Sequence, residues 1–150
     1  MEDTHVKYDF IIAGGGIAGL TAAIALQKEG YDVKVLEQIK ELKEVGAGLG
    51  LGANAWKGLA SLGITNDLEM KCNVIKSTKF LDQKGNLISS IDIERLNEKY
   101  GVAYFTVHRA ELQKILVQHL QPGTLKLGKK SLVLNKMKLA LQCIWKMGKP

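Results

Sequence analysis

Tyr8 to Glu37 reads YDFIIAGGGIAGLTAAIALQKEGYDVKVLE, and this stretch decides the fold. Its first six residues form a short apolar run that stops at glycine, as a buried parallel strand should. Directly after the glycines the periodicity changes. Ile17, Leu20, Thr21, Ile24 and Lys28 fall at helical spacing with small alanines between them, and Gly30 supplies a stop. Asp32 to Glu37 (DVKVLE) is a second strand, with Val33 and Val35 alternating and an acid at its end. Strand, helix and strand make a βαβ unit and place the chain in the α/β class, with a Rossmann-like parallel sheet.

Within that unit, Gly14, Gly16 and Gly19 satisfy GxGxxG and open the helix at the end of the strand. Gly14 allows the tight turn, Gly16 lets the backbone approach a pyrophosphate with no Cβ in the way, and Gly19 lets helix and strands pack closely. The amides of Gly16, Ile17 and Ala18 then point at phosphate oxygens from the positive end of the helix dipole. Glu37 lies 21 residues beyond Gly16, where a carboxylate accepts hydrogen bonds from ribose hydroxyls and disfavours a 2′-phosphate. Glycine turns are common, so the motif alone is weak. The strand before it, the helix after it, the second strand and the acid at the right offset are four separate agreements with a dinucleotide site. The alternative is a plain βαβ turn with Glu37 as a solvated strand-end acid.

Composition narrows the class. With 150 residues, 46% of them hydrophobic and 24% charged, the chain suits one compact domain or most of one. The net charge of +6 would suggest an anionic partner, but its location argues otherwise. Lys129, Lys130, Lys136, Lys138, Lys146 and Lys149 bring six positive charges to the last stretch, which holds no acid, and leave the body of the chain neutral. No nucleic-acid surface is expected. Phe10 to Leu26 is the most apolar stretch, yet it holds four glycines and follows acids instead of a basic leader, so neither a signal peptide nor a membrane span is expected. Cys72 and Cys143 stand far apart, which excludes a disulfide framework and a metal site and suits a reduced, cytoplasmic compartment.

The fingerprint does not choose between NAD and FAD, which share an ADP half. The residues beyond Glu37 do. After Gln38 come the charged segment IKELKEV and the glycine-rich GAGLGLGAN, then an amphipathic stretch with Trp56, Leu59, Leu62, Gly63 and Ile64, and later VHRAEL at Val107 to Leu112. With these features the chain, from about Tyr8 to about Leu134, resembles the N-terminal part of the FAD-dependent aromatic monooxygenases, in particular the salicylate, urate and zeaxanthin-type subgroup. The resemblance implies that Gly14, Gly16, Ile17, Ala18 and Gly19 form the pyrophosphate-facing turn, and that Glu37 with Gln38 meets the adenosine ribose. It also implies that Arg109 begins a helix and reaches the flavin's phosphate and ribityl region, a task suited to a fork of donors. The alternative for Arg109 is an ordinary solvated arginine at a helix start. The loop from Gly46 to Gly50, Gly48 included, would lie along the ring side of the flavin, where glycines permit close backbone approach; the alternative is an ordinary mobile loop.

By the same resemblance the parent activity uses FAD, NAD(P)H and O2 to hydroxylate or epoxidise a small aromatic or polyene substrate, and this chain holds only the FAD-binding part. No catalytic residue is identified. Two other readings stay open: a non-catalytic ADP-binding module, and the N-terminal domain of an NAD-dependent dehydrogenase. Ser77 to Asp82 and Asn86 to Ile91 read as the strands of an inserted hairpin, spanning about 77–91. Glu111 to Leu120 reads as a helix with Leu112, Ile115, Leu116 and His119 on one face, ended by Pro122 and Gly123. Leu125 to Leu127 reads as a third parallel strand.

A partial FAD-binding domain is therefore expected over 1–134. After Leu134 the resemblance calls for an acid- and valine-rich hairpin, whereas NKMKLALQCIWKMGKP is basic throughout. Back-translated with freely chosen codons and read two nucleotides later, the same stretch becomes QNEIGVTVYLEDGK preceded by glutamate, which reads as the strand, turn and strand that the resemblance calls for. Residues 135–150 are accordingly expected to be a frameshifted tail without selected function; the rival is a genuine basic amphipathic tail.

Overall fold

The computed structural model describes residues 8–42, 47–101, 104–129, 131–137 and 140–145. It falls into two compact units, Met1–Glu44 with Leu116–Pro150, and Val45–Ile115.

In the first unit, β1 (Phe10–Ala13), α1 (Ile17–Lys28) and β2 (Val33–Leu36) form the expected βαβ unit. β1 and β2 are parallel, in a register running from Phe10 opposite Val33 to Ala13 opposite Leu36. Leu20 and Ile24 on one face of α1, and Val33, Val35 and Leu36 on β2, are all buried. Each such side chain contributes about 1.5–3 kcal/mol on leaving water. Helix α1 ends at the predicted glycine: the Gly30 amide donates to the Gln27 carbonyl at 3.0 Å and the Tyr31 amide to that of Leu26 at 3.1 Å. That 5→2 and 6→1 pair needs a left-handed residue after the cap, and Gly30 supplies it with φ +87°. β1 is the less protected strand, with Phe10 and Ile11 exposed and Phe10 edge-on to Tyr31 at 5.0 Å.

The second unit begins with β3 (Gly48–Leu51), α2 (Ala53–Ser61) and the short α3 (Thr65–Glu69). Here the expectation of a Gly46 to Gly50 loop needs correction. Gly48 to Gly50 lie within a strand, paired antiparallel so that Gly48 faces His108 and Leu51 faces Phe105, while Gly46 is outside the described residues. Glycines do not favour strands, but a partner strand satisfies their amides and carbonyls. The amphipathic stretch forms α2 through Trp56 and Leu59, with Leu62 as its C-cap; its end repeats the motif of α1, with Gly63 donating to Ala60 and Ile64 to Leu59. Trp56 stacks on Phe105 with ring centroids 3.9 Å apart.

β4 (Asn73–Val74) is followed by the hairpin β5 (Ser77–Leu81) and β6 (Leu87–Asp92). This is the expected insertion to within a residue. Asp82 closes its turn, accepting from the amides of Lys84 and Asn86, both at 2.8 Å. The side-chain amide of Asn86 holds the Asp82 carboxyl below its ordinary range, aided by the backbone amides of the turn. Every residue of β6 is exposed, Leu87 and Ile88 among them. α4 (Ile93–Tyr100) is not among the elements expected above, although its capping signals and the helical spacing of Ile93, Leu96 and Tyr100 are present in the sequence. Asp92 caps it by accepting from the Arg95 amide at 2.9 Å, and Gly101 ends it in the left-handed region.

β7 (Phe105–His108) is the middle strand of the sheet ordered β3, β7, β4. α5 (Arg109–Gln118) then carries the chain back to the first unit, with Leu112, Ile115 and Leu116 buried as the spacing predicts; it starts two residues before the expected Glu111 and ends before His119, which is half-buried in the turn that follows and not on the helix. β8 (Leu125–Lys126) pairs parallel with β2, giving the third parallel strand. Last come β9 (Ser131–Met137) and β10 (Ala140–Trp145), an antiparallel pair. The basic composition after Leu134 is thus no obstacle to strand pairing of its backbone.

Candidate functional site

The turn between β1 and α1 is the most specifically built part of the molecule, because its three fingerprint glycines are required for three different reasons. Gly14 has φ +109°, which an L side chain adopts only under strain, and its amide extends the ladder by donating to the Leu36 carbonyl at 2.7 Å. At Gly19 a Cβ would lie 2.1 Å from the Gly14 carbonyl oxygen and 3.2 Å from Ile12 Cγ2. No side chain fits there. Gly16 differs from both: φ −75° and ψ 176° are open to any residue, and a Cβ would meet nothing within 4 Å. Backbone strain is therefore no reason for a glycine at position 16. What glycine preserves at this position is empty space in front of the turn.

That space faces the start of α1. Gly16 is the N-cap and offers no side-chain acceptor to the first-turn amides, and the first turn carries no acid. Ile17 is half-buried and Ala18 exposed. Amides without a side-chain cap, the positive end of a twelve-residue helix and open space in front of Gly16 together make an anion-accepting surface.

Glu37 comes directly after β2 and stands beside this turn. Its Oε2 accepts from the Gly15 amide at 2.6 Å and its Oε1 from the Ile39 amide at 3.0 Å. The Ile39 amide above all holds the carboxyl below the usual glutamate range; partial burial opposes it, and the Gly15 and Gln38 amides add to it. The backbone of Glu37 is tied as well, donating to Lys126 at 2.9 Å and accepting from Lys129 at 2.8 Å. Sequence reasoning places this acid at the site but does not reveal that its oxygens hold backbone amides. Gln38 comes next and is exposed.

Gly48 and Arg109 belong to the second unit, where the register of β3 against β7 brings them close in the backbone. Gly48 faces His108, and the Arg109 amide donates to the Ala47 carbonyl at 3.3 Å. Arg109 is the first residue of α5, as expected, and is exposed. Among the described residues no group of three or more His, Cys, Asp or Glu is arranged to hold a metal. No helix among them is long and apolar enough to cross a membrane.

Residues 12–42 match the family of NAD(P)-binding Rossmann-like domains. Over 120 residues the chain is 34% identical to the aurachin C monooxygenase/isomerase of Stigmatella aurantiaca, covering 80% of this chain and 31% of that protein. Over 123 residues it is 35% identical to 3-hydroxybenzoate 6-hydroxylase of Polaromonas naphthalenivorans, covering 81% and 31%. The crystal structure of Klebsiella pneumoniae HpxO complexed with FAD and uric acid superposes with a TM-score of 0.78 at 26% identity, over 93% of this chain and 36% of that one. The chain's homologues are FAD-dependent aromatic monooxygenases. It spans about a third of the length of the curated monooxygenases it matches, which agrees with an N-terminal fragment of that family. Their Rossmann-like portion accounts for the βαβ unit found here.

Proposed function

We propose that this chain is the FAD-binding part of a flavoprotein monooxygenase, and that the β1–α1 turn holds the pyrophosphate of the cofactor's ADP half. The observation that carries the reading is the empty approach to Gly16 at an uncapped helix start, where a Cβ would stand in open space. Gly14, Gly16, Ile17, Ala18 and Gly19 form the phosphate turn. Glu37 and Gln38 take the ribose, the carboxylate using lone pairs left over from its two amide contacts. Gly48 and Arg109 serve the flavin half, the guanidinium as a fork for phosphate oxygens. When bound, FAD reduced by NAD(P)H supplies the oxygen-activating chemistry. The residues of this chain bind and orient it.

The relatives' names point to a small aromatic substrate; we propose an aromatic or polyene compound, and a cytoplasmic setting without nucleic acid. Because the chain spans only about a third of those relatives, we propose that by itself it turns nothing over. We propose further that residues 135–150 are read out of frame. Sequencing the gene across the codons for Leu132 to Lys136 tests this, and an intact longer frame without an insertion or deletion would sink it.

Calorimetry with ADP tests the main proposal. The chain should bind ADP, and Gly16→Val should abolish binding while leaving the thermal unfolding midpoint in place, since the side chain enters open space. Unchanged affinity would remove the turn from the site. Substrate-dependent NAD(P)H oxidation by the chain alone, with stoichiometric hydroxylated product, would overturn the view that it is only the binding part.

A further inference from the structure

GxGxxG leaves its second position free, yet this chain has Gly15 there, and the surroundings give a reason. A Cβ on residue 15 would stand 3.0 Å from Glu37 Cβ, 3.2 Å from Glu37 Cγ and 3.3 Å from Leu125 Cδ1. The stem of Glu37 therefore lies directly against the Gly15 backbone. Its carboxylate caps the same residue, accepting the Gly15 amide at 2.6 Å across 22 positions of sequence. The second oxygen is held at 3.0 Å by the Ile39 amide, which fixes the plane of the carboxylate from the other side. Gly14 on the preceding residue is anchored separately, through Leu36.

We propose that Glu37 is a positioning residue for the β1–α1 turn: by holding the Gly15 amide, its carboxylate sets the path of the backbone from which the Gly16 to Ala18 amides project, and it imposes the glycine at position 15. The proposal deepens the reading of this turn as a phosphate site and rests on it for its ligand consequence. An ionised carboxylate suits two donors facing it from different sides, since each oxygen accepts. Glutamine does not. Its amide offers one acceptor, so one of the two backbone amides would face an NH2 donor. Residues that serve only a ribose affect only ligands with ribose hydroxyls. A residue that holds the turn affects the phosphates as well.

Glu37→Gln, with Gly15→Ala as a second variant, separates the two roles. Solvent exchange of individual amides, measured by NMR, is read in the chain without ligand. In Glu37→Gln the Gly15 amide should exchange about tenfold faster, the factor expected from losing one charge-assisted hydrogen bond, while the Gly14 amide, bonded to Leu36, keeps its rate. Gly15→Ala, which forces the Glu37 stem away, should raise exchange at residue 15 in the same way, and combining the two changes should add little. Calorimetry with ADP and with 2′,3′-dideoxy-ADP should then show affinity falling about tenfold for the dideoxy ligand in Glu37→Gln, and by at least that factor for ADP, which loses its ribose contact as well. An unchanged Gly15 exchange rate in a folded variant, or a loss confined to ADP, would overturn the proposal. Should the unaltered chain bind neither nucleotide, the phosphate reading fails by itself, and the exchange rates still decide whether Glu37 holds the turn.

Discussion

The chain has two glycine-rich segments, GGGIAG at 14–19 and GAGLGLGAN at 46–54, and they do opposite things. In the first, glycine is enforced by backbone geometry at Gly14, by contact at Gly15 and Gly19, and by vacancy at Gly16. In the second, Gly48 and Gly50 are members of strand β3. A Cβ at Gly48 would meet nothing within 4 Å, and one at Gly50 would meet the Tyr104 side chain first, 3.1 Å away at Cε1. Glycine content therefore says little about whether a segment is a loop. What separates the two is the neighbour: backbone atoms and a carboxylate around the first, a paired strand and a movable ring beside the second.

Substitution by alanine sharpens this contrast. The largest effect is expected at Gly19→Ala, where the obstruction is the Gly14 carbonyl, part of the backbone and unable to swing aside. Urea unfolding should register a loss of about 3 kcal/mol or failure to fold, and a loss under about 1 kcal/mol would mean that helix and turn separate easily. Gly50→Ala should cost less, about 1 kcal/mol, because an aromatic side chain can rotate away. Gly48→Ala should lie within about 0.5 kcal/mol of the unaltered chain, and a large loss there would show that this strand is as tightly specified as the turn.

The smallest expected effect is electrostatic. Glu37 has a carboxyl held below the ordinary glutamate value of 4.5, so the stability it provides is complete above that pH and is lost as pH falls through its lowered value. Stability should decline with acid more steeply in the unaltered chain than in Glu37→Gln. The difference between the two curves, measured by urea unfolding between neutral pH and about pH 3, isolates this carboxylate from the others. Parallel curves would mean that the Gly15 and Ile39 contacts contribute nothing to folding.

A third region has no counterpart in the glycine comparison but obeys the same logic of neighbours. The β5–β6 hairpin is specified locally, by Asp82 and by Gly85 with φ +85°, and it is legible to within a residue for that reason. Its exposed apolar residues Phe80, Leu81, Leu87 and Ile88 are not legible as exposed, because alternation reports which faces differ and not what covers them. Helix α4 was legible as well, since Asp92 and Gly101 bound it and Ile93, Leu96 and Tyr100 stand at helical spacing between them, although the reading of the sequence above names no helix there.

Local sequence by itself determined the succession of strand, helix and strand, the end of α1 at Gly30 and the hairpin turn, because each rests on residue spacing or on hydrogen bonds between residues a few positions apart. It also determined that an acid stands at the end of β2. Only the tertiary structure decided that this acid grips the Gly15 amide, that Gly19 lies against the Gly14 carbonyl, and that Gly48 to Leu51 pair with Phe105 to His108. Those contacts join residues far apart in the chain, or set the distance between a helix and the turn that feeds it, and periodicity carries no information about such distances.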